Sequence, residues 1–173
     1  KDTQEKEQIV LHHTVSGKTI KGDVAHWNKT RQRVATCIII SRDGTINQLF
    51  SSKYWAYHLG NKTRDFRKFG LPYKNLEKTS IGIELDSYGG LKKENGVWKH
   101  AYGGEVDAEN VTEYKEAYRG YFAFETYTAE QIESTRQLLV FWNERYGIPL
   151  KYNDMFGLNR EALSGVPGVY THA

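Results

Sequence analysis

The sequence predicts an α/β or α+β fold, a mixed central β-sheet flanked by helices, built as a single domain over residues 1–173. Three observations predict it. The runs "IVLHHT", "ATCIIIS" and "SIGIEL" are apolar, rich in β-branched residues and of strand length. The pair Asp43-Gly44, between "ATCIIIS" and "TINQLF", is a two-residue hairpin signal. The stretch "YTAEQIESTRQLLVFWNERYG" has helical periodicity with a stop signal at its end. Strands alternating with helices bury their apolar faces best as layers around one sheet.

The elements follow in order. "KDTQEKEQ" is charged throughout and is predicted to fray. "IVLHHT" reads as a short buried strand, apolar on both faces before its histidines. Asp23 stands where it would cap a helix through "VAHWNKTRQ". The Asp43-Gly44 hairpin joins two β-rich runs, and "SIGIEL" is a further buried strand ending in acidic residues.

Residues 86–127 hold glycine pairs, charges and many tyrosines with no clear period, so they read as an insertion, either a functional lobe or a surface elaboration. Thr128 and Gln131 then form a capping box. Ile132, Thr135, Leu139, Trp142 and Tyr146 recur at spacings of three and four, and Gly147 ends the helix. The tail "GVPGVYTHA" is a turn followed by a short strand carrying His172.

Composition excludes several classes of function. Cys37 is the only cysteine, which rules out an internal disulfide and a cysteine-based zinc knuckle; inside "ATCIIIS" it reads as a small buried apolar residue. Acidic and basic residues are interspersed at a net charge of +3, without the basic stripe that nucleic acid demands. No apolar run reaches the roughly 20 residues of a membrane span. The chain starts at Lys1 with no signal peptide before the first strand, so it reads as an excerpt or a processed form.

The candidate chemistry starts with His12 and His13. Neighbours on a strand point to opposite faces, so at most one of them can serve a given metal ion. Its partners must come from elsewhere, and His26, His58, His100 and His172 are available. His172 also follows a strand-like stretch, which would let it lie beside the first strand. Glu84 is a carboxylate inside an otherwise apolar strand; it either faces solvent at the strand end or sits paired in a cleft.

Taken in order, "IVLHHTVSG", "ATCIIISRDGTINQLF", "YWAYHLGN", "TSIGIELDS", "YTAEQIESTRQLL" and "GVYTHA" resemble the zinc-dependent N-acetylmuramoyl-L-alanine amidases of the type 2 family, which includes the peptidoglycan recognition proteins. The resemblance runs from about residue 9 to the end, interrupted by the insertion. It implies Zn2+ as cofactor, peptidoglycan as partner, and hydrolysis of the amide between N-acetylmuramic acid and L-alanine at the bacterial cell wall by a phage or bacterial lytic enzyme. It further implies that His12 and His172 are zinc ligands, that His13 is structural, and that His58 is a catalytic residue near the cleft, orienting substrate or contacting the oxyanion, the alternative being packing against Trp55.

Two departures from the family pattern stand out. The third ligand, an Asp or Cys, and a helper Lys are expected downstream of the second histidine, and the chain stops at Ala173; both are therefore expected beyond it. Where many members carry a catalytic Tyr, this chain has Thr36, and members without that Tyr use a Glu in the "IGIE" block. The resemblance thus makes Glu84 the acid–base residue. The alternatives are a non-catalytic peptidoglycan-binding module of the same fold, and an unrelated α/β protein in which His12 and His172 never meet. Trp27 is expected to pack its helix on the sheet; Tyr88, Trp98 and Tyr102 either line a groove or fold the insertion.

Overall fold

The computed structural model describes residues 4–16, 19–29, 31–151 and 158–172. Lys1–Thr3, Gly17 of the histidine block, Thr30 and Ala173 lie outside them.

The central sheet has five strands: β1 (Gln8–His13), β2 (Ile38–Ile40), β3 (Ile46–Gln48), β4 (Ser80–Leu85) and, closing the chain, β10 (Gly168–Thr171). Their order is β10-β1-β4-β2-β3. The first four in that order are parallel, and only β3 runs antiparallel, returned from β2 through the Asp43-Gly44 turn with Gly44 at φ 80°. Parallel central strands are covered on both faces, which is why they are apolar in both registers.

On one face lies α3 (Ala129–Tyr146). Ile9, Ile38, Ile40, Ile81, Ile83 and Leu85 pack there with Trp142. Each such aliphatic side chain, fully buried, contributes roughly 1.5–3 kcal/mol. The predicted capping box is present: Thr128 Oγ1 accepts from Gln131 N–H, and Gln131 Oε1 accepts from Thr128 N–H, both at 3.1 Å. Gly147 ends the helix in the left-handed conformation at φ 69°. Gln131 also donates to Ile40 O (3.3 Å) and Asp86 O (2.9 Å), pinning the helix start to the ends of β2 and β4. Because Gln131 takes the buried position, its neighbour Ile132 is turned to solvent, 54% exposed, and does not join the core face its spacing suggested.

The other face is covered by α2 (Thr63–Arg67) and α4 (Arg160–Ser164), whose Phe66 and Leu163 pack on Val10, Leu59 and Leu76. The remaining helix, α1 (Lys21–Lys29), begins before Asp23, so that residue does not cap it; the carboxylate instead accepts from Ser16 Oγ at 3.0 Å. No residue of α1 is buried, and Trp27 is only half-buried.

The charged N-terminal run does not fray from Gln4 onward. Lys6 is 3% exposed because the sheet end presents two carbonyls that need a donor, and its Nζ supplies both, at 2.7 Å to Lys78 O and 3.3 Å to Ser80 O.

The insertion forms its own antiparallel sheet of five short strands: β5 (Gly90–Glu94), β6 (Val97–Lys99), β7 (Glu105–Val106), β8 (Val111–Tyr118) and β9 (Tyr121–Glu125). Its small core is Leu91, Val106 and Ala123, against which Tyr88 and Trp98 pack, so these two aromatics fold the insertion. Tyr102 is 71% exposed and ties the insertion to the first strand's loop by donating to Val15 O at 2.9 Å.

Candidate active site

The parallel register builds the site at the end of β1. His12 pairs with Glu84 across β1 and β4, placing both side chains on one face. On the other side of β1, the His172 N–H donates to Leu11 O at 2.9 Å, which continues the β10 ladder and seats His172 next to His12. The two rings lie 4.8 Å apart between centroids, so His12 and His172 do meet. Strand alternation sends His13 to the opposite face, where its ring lies against Gly89; a β-carbon there would come within 2.8 Å of it. His26 is exposed on α1, and His100 stacks on Tyr88 at 3.7 Å in the insertion, so neither joins the group.

His58 does. Its Nδ1 is 2.9 Å from His12 Nε2, and its Nε2 is 2.8 Å from Ser80 Oγ. It sits behind His12, its side chain 4% exposed, and does not line the open cavity. Room for it comes from Gly82 on β4. Thr36, 2% exposed, lies in the same layer with its hydroxyl donated to Ile38 O, so it offers nothing to the cleft.

Glu77 organises the loop that delivers His58. It is buried, and its carboxylate accepts the backbone N–H of His58 (2.7 Å), Leu59 (3.1 and 3.0 Å) and Gly60 (3.1 Å). Leu59 O in turn accepts from His172 Nε2 at 2.9 Å. Ser80 and Glu77 position the candidate site, and sequence reasoning missed both. Neither stands out by spacing, because each acts through contacts made only in the fold.

Electrostatically the surroundings favour the neutral imidazoles. Burial, then the neighbouring His58, His172 and His13, push His12 well below the usual histidine range. Burial, followed by His172 and Lys6, takes His58 down to about 3. The 3.9 Å approach of His58 Nε2 to Glu77 is therefore a contact of a neutral ring, not an ion pair. Burial also lowers His172, against the opposing effects of the Leu59 carbonyl and Glu77. Glu84 is shifted the other way, up to about 8, by burial and then by Asp23. Its Oε2 is buried and has no hydrogen-bond partner among the described residues.

Next to His172 opens a cavity of about 490 Å3, lined by Gly60, Asp65, Tyr118, Arg119 and Tyr170 among others. Tyr118, Arg119 and Tyr121 come from the β8–β9 hairpin, whose tip places Arg119 (φ 51°) and Gly120 (φ 83°) both in the left-handed region between the paired Tyr118 and Tyr121. This is the two-residue hairpin geometry that glycine and asparagine favour, here carrying an arginine. Arg119 makes no hydrogen bond or ion pair among the described residues and lies 5.9 Å from the Tyr118 ring centroid. Glu84 is not part of this lining; it stands across β1 from the cavity.

Two neutral imidazoles side by side, with an orphaned carboxylate oxygen on the neighbouring strand, fit two ligands and an acid–base group of a metal hydrolase. Among the described residues no group of three or more His, Cys, Asp or Glu could hold a metal ion.

The sequence model of a family described as N-acetylmuramoyl-L-alanine amidase matches residues 2–173. The chain belongs to this amidase family. No curated protein matches it significantly. Among solved structures, this family member is similar to the N-acetylmuramyl-L-alanine amidase AmiD from E. coli, solved with anhydro-N-acetylmuramic acid-L-Ala-D-gamma-Glu-L-Lys. Identity is 21% over 85% of this chain and 46% of that one, with a TM-score of 0.52, which shows the shared fold. AmpDH3 from Pseudomonas aeruginosa, solved with anhydromuramic pentapeptide, is 18% identical over 98% of this chain and 51% of its own, at a TM-score of 0.49. PGRP-SA from Apis mellifera is 12% identical over 84% and 72%, at 0.39. The chain thus spans about half the length of AmiD and of AmpDH3.

Proposed function

We propose that this chain is the hydrolytic domain of a peptidoglycan amidase of phage or bacterial origin, acting at the bacterial cell wall on the amide between N-acetylmuramic acid and L-alanine. The observation that carries the reading is the pairing of His12 with His172 on one side and with Glu84 on the other. His12 and His172 would hold Zn2+. When bound, the metal supplies a Lewis acid and makes a water nucleophilic near neutral pH.

Glu84 accepts the proton of the attacking water at its unpartnered Oε2 and delivers it to the nitrogen of the leaving amine as the C–N bond breaks. A metal ion bound at His12 and His172 would draw the Glu84 pKa down into the working range. The cavity beside His172 takes the stem peptide, and Arg119 meets a peptide carboxylate there. The D-gamma-Glu of the muropeptide bound by AmiD offers such a group, since a γ-linked glutamate leaves its α-carboxylate free.

A non-catalytic peptidoglycan-binding module of the same fold is the second reading. Mass spectrometry of peptidoglycan treated with the complete gene product, with and without a zinc chelator, separates the two. Chelator-sensitive release of stem peptides with free L-alanine amino termini supports the amidase. Intact peptidoglycan that still retains the protein supports the binding module.

A further inference from the structure

We propose that His58, Ser80 and the Glu77-clamped loop 58–60 form a positioning device that presets the tautomers of His12 and His172, leaving Nδ1 of each as the lone-pair nitrogen. This rests on the reading of His12 and His172 as metal ligands.

The carbonyl of Leu76 can only accept. Ser80 Oγ lies 2.8 Å from Leu76 O, and a carbonyl has no proton to give, so the single hydroxyl proton of Ser80 goes to Leu76. Ser80 Oγ must then accept from His58, which places a proton on Nε2; the ring is 4% exposed, and the carboxylate of Glu77, at 3.9 Å, is too far to hydrogen-bond a second one. His58 Nδ1 is left as an acceptor facing His12 Nε2, so His12 carries its proton on Nε2 and its lone pair on Nδ1.

His172 reaches the same state by a shorter route, since its Nε2 must donate to the carbonyl of Leu59. The two acceptors belong to consecutive residues, His58 and Leu59, and Glu77 holds the backbone N–H of both. One buried carboxylate therefore sets the height of the loop that orients both imidazoles. A ligand histidine held by its distal N–H is more basic and loses less freedom on binding a metal, and removing such a partner typically costs about 10–100-fold in metal affinity.

The test uses the complete gene product labelled with 15N in histidine. The metal-free protein is read by NMR for ring tautomers, and zinc affinity is measured by calorimetry. The expected result is that His12 and His172 are Nε2-protonated in the wild type. H58L and S80A should lose the His12 tautomer and about 10–100-fold in zinc affinity. H58N, whose side-chain oxygen can stand where Nδ1 stood, should retain both. Thermal melts identify variants that fail to fold, and S80A, the mildest change, keeps the test open if H58L does not fold. An unchanged His12 tautomer and unchanged zinc affinity in S80A would overturn the proposal. Correct wild-type tautomers with no zinc binding would overturn the metal reading and leave the hydrogen-bond chain standing.

Discussion

Gly82 lies directly beneath His58: a β-carbon built on it would stand 3.0 Å from His58 Nδ1 and 2.7 Å from the Thr36 methyl. The absence of a side chain at this point of β4 is what lets the His58 ring reach His12. G82A should therefore push His58 off its partner and cost about 1–3 kcal/mol of stability, the usual range for overpacking a full interior. T36S removes the methyl that meets the new carbon, so G82A/T36S should recover part of the loss in chemical denaturation. Full stability in G82A alone would show that the layer has slack.

Glu84→Gln should keep the fold and the zinc while turnover falls by about 10²–10⁴. Near-normal release of stem peptides by this variant would sink the assigned role. A second readout is the pH dependence of stability in metal-free protein. Folding raises the Glu84 carboxyl from 4.5 to about 8, so between those values the folded chain holds a proton that the unfolded chain has lost. Stability must then fall as pH rises through that window. Glu84→Gln should flatten that part of the melting-temperature profile.

Cys37 should be silent toward thiol reagents. It is 3% exposed, and burial pushes its thiol up to about 12, partly offset by Lys6. The reactive thiolate is then scarce at pH 8. Ellman's reagent should find no thiol in the native chain and one after denaturation. Rapid native labelling would contradict the packing of "ATCIIIS".

Arg119→Ala should raise KM for substrates bearing a free carboxylate on the stem peptide, with little change in kcat. The same substitution should be nearly neutral with the carboxylate amidated. Equal loss on both substrates would place Arg119 in the structure of the hairpin rather than in recognition.

Glu77→Ala should be among the most destabilising substitutions in the chain. Three backbone N–H groups lose their acceptor at once. Since a hydrogen bond to a carboxylate contributes roughly 1.5–3 kcal/mol, a loss of at least about 3 kcal/mol is expected in urea unfolding.

The sequence by itself determined the strands "IVLHHT", "SIGIEL" and "GVYTHA", the Asp43-Gly44 hairpin and both ends of α3, because hydrophobic period, turn chemistry and capping are local properties. It also placed His12 and His13 on opposite faces, which alternation along a strand requires. Tertiary structure alone decided the rest. His12 and His172 meet through the pairing of β10 with β1, two strands at opposite ends of the chain. The five-stranded insertion lacked a period because its strands bury only Leu91, Val106 and Ala123. Gln131 displaced Ile132 from the core because two strand-end carbonyls needed its amide. The roles of Glu77, Ser80 and Gly82 lie in backbone amides, a carbonyl and an empty volume, and none of these leaves a mark on the identity of the residues around it.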